Sequence, residues 1–143
     1  MKSLFKTVLI ACLILFLMDA TLAQGNLSVT VTNVKEAKGK IQVGLFTDKG
    51  TFLKEAKLGK SAVAQLNEVT VVFENLPVGD YAISVIHDEN ENGELDSNFM
   101  GIPKEGFGFG NNAMGMFGPP SFEDALIKWD GQTKSVGVRL KYM

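Results

Sequence analysis

The chain has 143 residues, 45% of them hydrophobic, and its 14 basic and 16 acidic side chains leave a net charge of −2. On net charge, this balance argues against a nucleic-acid or anionic-membrane binder. One cysteine excludes an internal disulfide framework, and one histidine leaves a zinc or copper centre short of ligands.

At the N-terminus, Lys2 and Lys6 precede the apolar run Val8 to Met18, and Thr21-Leu22-Ala23 follows. This pattern predicts a secretory signal peptide over residues 1–23, cleaved after Ala23. The apolar run is too short to span a bilayer, which takes about 20 residues. A competing lipoprotein cleavage site at Leu9-Ile10-Ala11-Cys12 is disfavoured, because the apolar stretch before Cys12 is very short and continues beyond it. The expectation is therefore an exported protein, periplasmic or extracellular, with no transmembrane segment in its mature chain. Residues 24–143 then form one domain with 12 basic and 15 acidic residues, no cysteine, and enough length to bury roughly two-thirds of its unfolded surface.

Alternation with period two dominates this region. It marks strands around Leu27-Val31, Ile41-Leu45, Ala62-Leu66, Val69-Phe73, Tyr81-Val85 and Val136-Leu140, with a seventh around Ala125-Trp129. Turn signals separate them at Lys38-Gly39, Asn67, Pro77 to Asp80 and Asp130-Gly131. The predicted fold is all-β, a seven-stranded antiparallel sandwich of immunoglobulin or prealbumin type. Residues 49–60 are expected to hold one helical turn, with Phe52 and Leu53 capping an end of the core. From Phe99 to Phe122 the alternation stops, and 24 residues contain six glycines, three prolines and five phenylalanines. So long a loop in a compact domain is usually functional or disordered, and the aromatics argue for order.

The richest chemistry lies in Asp88-Glu89-Asn90-Glu91-Asn92-Gly93-Glu94-Leu95-Asp96, with five carboxylates and no positive charge. Oxygen-bearing side chains at positions 1, 3, 5 and 9, a turn glycine at 6 and a backbone carbonyl at 7 suit calcium. The candidate ligands are Asp88, Asn90, Asn92, Glu94 and Asp96. Position 12 is Phe99 where a bidentate glutamate is expected, so a further oxygen must come from Asn98, Glu105 or Asp124. His87 is expected at the rim of the core, orienting this loop. A candidate ligand surface comprises His87, Phe99, Glu105, Phe107, Phe109 and Phe117; the favoured reading of the phenylalanines is internal packing over an open end of the sandwich. Gly106-Phe107-Gly108-Phe109-Gly110 follows no βα unit and has no phosphate-binding lysine, so it is not read as a phosphate cradle.

The run from Phe73 through Leu76-Pro77, Gly79, Tyr81 and His87-Asp88 to Asp96, continuing into Gly101-Ile102-Pro103, Gly106 to Phe109 and Ser121 to Ala125, resembles the secreted bacterial DUF2141 family. The resemblance implies an export signal and a single β-sandwich domain, and brings no activity with it. The Asn75-Leu76-Pro77 turn leading to Gly79 and Tyr81 is also similar, more weakly, to prealbumin-like modules. The sequence thus points to an exported, non-enzymatic binding or structural module, stabilised by calcium and meeting a protein or glycan at the cell envelope. The alternative is a periplasmic enzyme using His87 with Asp88, Asp96 or Glu105 as acid and base; no Gly-x-Ser-x-Gly nucleophile motif supports it.

Overall fold

A computed structural model of the chain describes residues 24–143; the expected signal peptide and Cys12 lie outside the described residues. Eight strands follow in order: β1 (Leu27–Val34), β2 (Lys40–Phe46), β3 (Leu58–Val63), β4 (Asn67–Phe73), β5 (Gly79–Asp88), β6 (Gly106–Phe109), β7 (Leu126–Trp129) and β8 (Lys134–Arg139). They form a three-stranded sheet, β4-β1-β8, and a five-stranded one, β3-β2-β5-β6, in which β7 also pairs with β5. β5 is long enough for two partners on one edge: Gly79–Ala82 pairs with β7 and Ser84–His87 with β6.

The alternating residues behave as the period requires. Leu27, Val29 and Val31 face Ile41, Val43, Leu45, Ile83 and Val85 in one buried cluster, with Phe73, Trp129 and Leu140. Each such side chain contributes about 1.5–3 kcal/mol by leaving water. Asn33 interrupts the phase: the register shifts between Thr32 and Val34, Asn33 adopts φ 65°, and its amide donates to the Leu140 carbonyl at 2.8 Å. This bulge returns Val34, rather than Asn33, to the core. At the β4–β5 corner, Trp129 Nε1–H donates to the Leu76 carbonyl at 2.9 Å and the Tyr81 hydroxyl to the Pro77 carbonyl at 2.8 Å.

The all-β sandwich stands, with four differences of detail. Strand β3 begins at Leu58, earlier than the Ala62–Leu66 alternation suggests, because it is an exposed edge strand and only Ala62 is partly buried. The helical turn expected ahead of it is not formed: residues 49–54 are hydrogen-bonded turns in which the Thr51 carbonyl accepts from Lys54 and Glu55 N–H, and Leu53 takes φ 61°, outside the right-handed helical region; Phe52 packs inward and Leu53 stays exposed. The parallel pairing of β1 with β8 departs from a purely antiparallel sandwich.

The eighth strand, β6, comes from the Gly/Phe-rich segment. Its two faces explain its sequence. Phe107 and Phe109 join Phe46, Ala82 and Ala125 in a second buried cluster on the other side of the five-stranded sheet. Gly106 and Gly108 meet the end of β8 and the residues beyond it: a Cβ on Gly108 would lie 2.8 Å from Val138 Cγ1, and one on Gly106 would lie 2.5 Å from the Tyr142 ring. Only glycine permits that approach.

Candidate functional site

The acidic loop leaves the end of β5, and the chain returns to β6 through Glu105. Asp88 is buried at this junction. Its carboxylate accepts from the backbone N–H of Asn92 (3.1 Å) and of Gly93 (2.9 Å), and from the Gln42 amide on β2. Asn90 Oδ1 accepts from Asn92 N–H at 3.2 Å, and Asn92 Oδ1 from Glu94 N–H at 3.0 Å. Asx turns of this kind arise because a short side-chain oxygen reaches the amide two residues ahead. Gly93 takes φ 85°, in the left-handed region that glycine enters without strain.

Asp96 closes the group, its two oxygens accepting from the side-chain amides of Asn90 and of Asn92, the latter at 2.9 Å. Four of the predicted ligands, Asp88, Asn90, Asn92 and Asp96, are thus brought into one network, and the Glu94 backbone belongs to it. Each Asn side-chain oxygen spends one lone pair on an N–H and keeps another. Among the described residues no three His, Cys, Asp or Glu side chains are grouped as metal ligands. The loop's set is instead two carboxylates, two amide oxygens and a carbonyl, a hard all-oxygen set.

Of the three residues considered for the missing oxygen, Glu105 is the one held in the loop. Buried, it accepts from Glu89 N–H at 2.9 Å with one oxygen and from Asp96 N–H at 3.0 Å with the other. It thereby clamps the first and last turns of the loop together. Asn98 instead caps the neighbouring hairpin tip through Met100 and Ile102, and Asp124 pairs with the Ser121 hydroxyl. Glu91 turns outward to Lys40 at 2.8 Å; the Glu91 hydrogen bond, then its charge, holds the Lys40 ammonium above its usual pKa.

His87 is fully buried beside this loop. Its Nε2 lies 2.8 Å from the Lys38 carbonyl and its Nδ1 2.9 Å from the Tyr142 hydroxyl. A carbonyl only accepts, so Nε2 carries the proton, and in the neutral ring Nδ1 accepts from Tyr142. Tyr142 in turn accepts from Lys35 N–H at 3.2 Å. Both ring nitrogens are therefore occupied within the fold. Burial, above all, raises the Tyr142 pKa.

The expected ligand surface divides. His87, Glu105, Phe107 and Phe109 are buried and leave that surface, the two phenylalanines because alternation on β6 turns them to the outer face of the five-stranded sheet, where the second cluster covers them, while Phe99 and Phe117 are each 97% exposed. Phe99 rides a tight tip closed by the Ser97–Pro103 bridge, directly after the acidic loop. Gln42 and Tyr142 were not predicted as site residues. Gln42 occupies an outward position of β2, where a half-buried amide beside an acid is a weak signal. Tyr142 lies 55 residues from His87, and nothing local links them.

No described helix is long and apolar enough to cross a membrane. No curated protein and no solved structure matches the chain. A family model described as "Uncharacterized protein conserved in bacteria (DUF2141)" matches residues 29–137, which takes in β2 to β7 whole, most of β1 and β8 and the entire acidic loop, and the chain belongs to that family.

Proposed function

We propose that the chain is an exported, non-enzymatic β-sandwich module that binds a protein or glycan at the cell envelope and takes up calcium in its Asp88–Asp96 loop. One observation carries the reading: the loop's own side chains hold the turns a calcium loop needs. Asp88 accepts from the amides four and five residues ahead, and Asn90 and Asn92 from those two ahead. Asp88, Asn90, Asn92, Asp96 and the Glu94 carbonyl would hold the ion. Bound calcium would neutralise part of the loop's five-carboxylate repulsion. Glu105, through its two backbone contacts, would transmit that ordering to β6 and to the Phe99 tip.

The enzymatic alternative draws less support. A general base needs a free nitrogen within reach of substrate, whereas His87 is sealed between Lys38 and Tyr142.

The test is the thermal midpoint of the purified protein in EDTA, calcium and magnesium. For a dissociation constant of about 0.1 mM, about 1 mM calcium stabilises by roughly 1.4 kcal/mol, a rise of several degrees. Asp96→Ala should abolish the rise while leaving the protein folded. No shift at about 10 mM calcium, a hundredfold excess over that constant, would sink the metal reading.

A further inference from the structure

A second feature lies outside the acidic loop. A shallow groove of about 440 Å³ is lined by Lys35, Arg139 and Lys141, with Met114, Leu140 and Tyr142 among its apolar and aromatic walls. None of the three basic residues forms an ion pair with a described carboxylate. The Lys35 ammonium stands 4.6 Å over the Tyr142 ring, which holds its charge at the groove.

One wall is the root of a loop. Asn112 Oδ1 accepts from Arg139 N–H at 2.8 Å, fixing residue 112 to β8. From there the chain runs through Met114 and doubles back so tightly that a Cβ on Gly115 would lie 2.4 Å from the Pro119 carbonyl. Met116 and Phe117 form the apex, 88% and 97% exposed. An isolated exposed apolar side chain is ordinary, but an aromatic and a methionine at the apex of a loop rooted among three unpaired cations is a specific pairing.

We propose that this surface docks on an anionic lipid bilayer, with Met116 and Phe117 entering the acyl boundary and Lys35, Arg139 and Lys141 meeting headgroup phosphates. Apolar side chains at the acyl boundary with cations at headgroup level are the division of labour that interfacial binding uses. Glu36 and Glu89, whose charges act on Tyr142, oppose the contact from one side. The acidic whole chain does so more weakly through the salt atmosphere. Docking is therefore local, reversible and sensitive to salt, and it does not depend on calcium in the acidic loop.

Co-sedimentation of the purified protein with vesicles, in EDTA throughout, tests this. Vesicles containing phosphatidylglycerol should carry down the protein, and pure phosphatidylcholine much less. About 1 M salt, where the screening length is ~3 Å, should release it. The double variant Met116→Ser/Phe117→Ser should lower binding on the order of tenfold or more from lost apolar burial. Lys141→Ala should weaken binding to anionic vesicles alone, and Leu66→Ser, an exposed apolar change elsewhere, should leave it intact. Equal binding to both vesicle types, or full binding by the double variant, would overturn the proposal. So would inorganic phosphate perturbing the Arg139 and Lys141 amides in the absence of any vesicle binding, which would assign the groove to a soluble anion.

Discussion

Two connections flank β6, and they are built from opposite chemistry. Residues 89–105 are stitched to their own backbone by side chains: Asp88, Asn90, Asn92, Asn98 and Glu105 together accept eight hydrogen bonds from seven backbone amides. Residues 113–119 make no side-chain hydrogen bond among the described residues; that loop is held at its root by Asn112 and folded by the close approach of Gly115 to Pro119. Polar stitching fixes atoms in space, which suits a site that must converge on a small cation. Apolar side chains on a doubled-back loop suit a broad, non-directional contact.

The sharpest way to break this comparison is Asp88→Ala. It strands the Gly93 N–H and the Gln42 amide at a partly buried junction, while the Asn92 N–H keeps Asn90 Oδ1, and an unsatisfied buried donor costs about 1–3 kcal/mol. Losses at the two partners partly overlap, so chemical denaturation should show a drop of about 2–3 kcal/mol. A loss below 1 kcal/mol would mean that the stitching is ornamental. Next comes Gly108→Ala, which asks whether β6 is rigidly seated between the two connections. Its new Cβ meets Val138 and the Arg139 carbonyl below 3.0 Å. Overpacking of that kind costs about 1–3 kcal/mol. An unchanged midpoint would show that β6 shifts freely.

Tyr142→Phe sharpens the comparison more finely. It removes the hydroxyl between Lys35 and His87, at a cost of about 1 kcal/mol near neutral pH. Its pH signature is distinctive. Burial raises the Tyr142 pKa above 10.0, so above that pH the folded state holds more protons than the unfolded one. Stability is then unaffected below about pH 10 and falls as pH rises beyond it. The variant should lose part of that alkaline fall, the remainder belonging to Tyr81, which burial shifts the same way, and to Lys40, which the Glu91 hydrogen bond raises. A fall of undiminished slope would remove Tyr142 from the account. Smallest is Phe117→Ser, whose fully exposed ring should change stability by less than about 0.5 kcal/mol in solution.

Much of this fold was legible because alternation maps directly onto half-buried strands. β1, β2, β4, β5 and β8 follow the apolar period, and Trp129 at the end of the seventh predicted strand falls in the core. What escaped did so for physical reasons. Gly106 to Phe109 alternates perfectly, but glycine is depleted in strands, and the signal is recognisable only once β8 and Tyr142 are known to press against that face. The Asn33 bulge and the start of β3 depend on pairing partners distant in sequence. In the acidic loop the offsets of Asp88, Asn90, Asn92 and Asp96 were readable from short-range turn chemistry. The clamp by Glu105 and the contact with Gln42 were not, since both are set by where β6 and β2 lie beside β5. The same limit applied to Phe107 and Phe109, whose side was decided by pairing with β5.

The central proposal is that the Asp88 loop, whose turns its own side chains hold, takes up calcium. Amide chemical shifts recorded during a calcium titration test it most directly. The account predicts saturable one-to-one changes concentrated at Asn90 to Asp96, carried through Glu105 to the Glu89 amide, and absent with equal magnesium. Shifts that are absent, scattered over the surface or equal for both ions would contradict it.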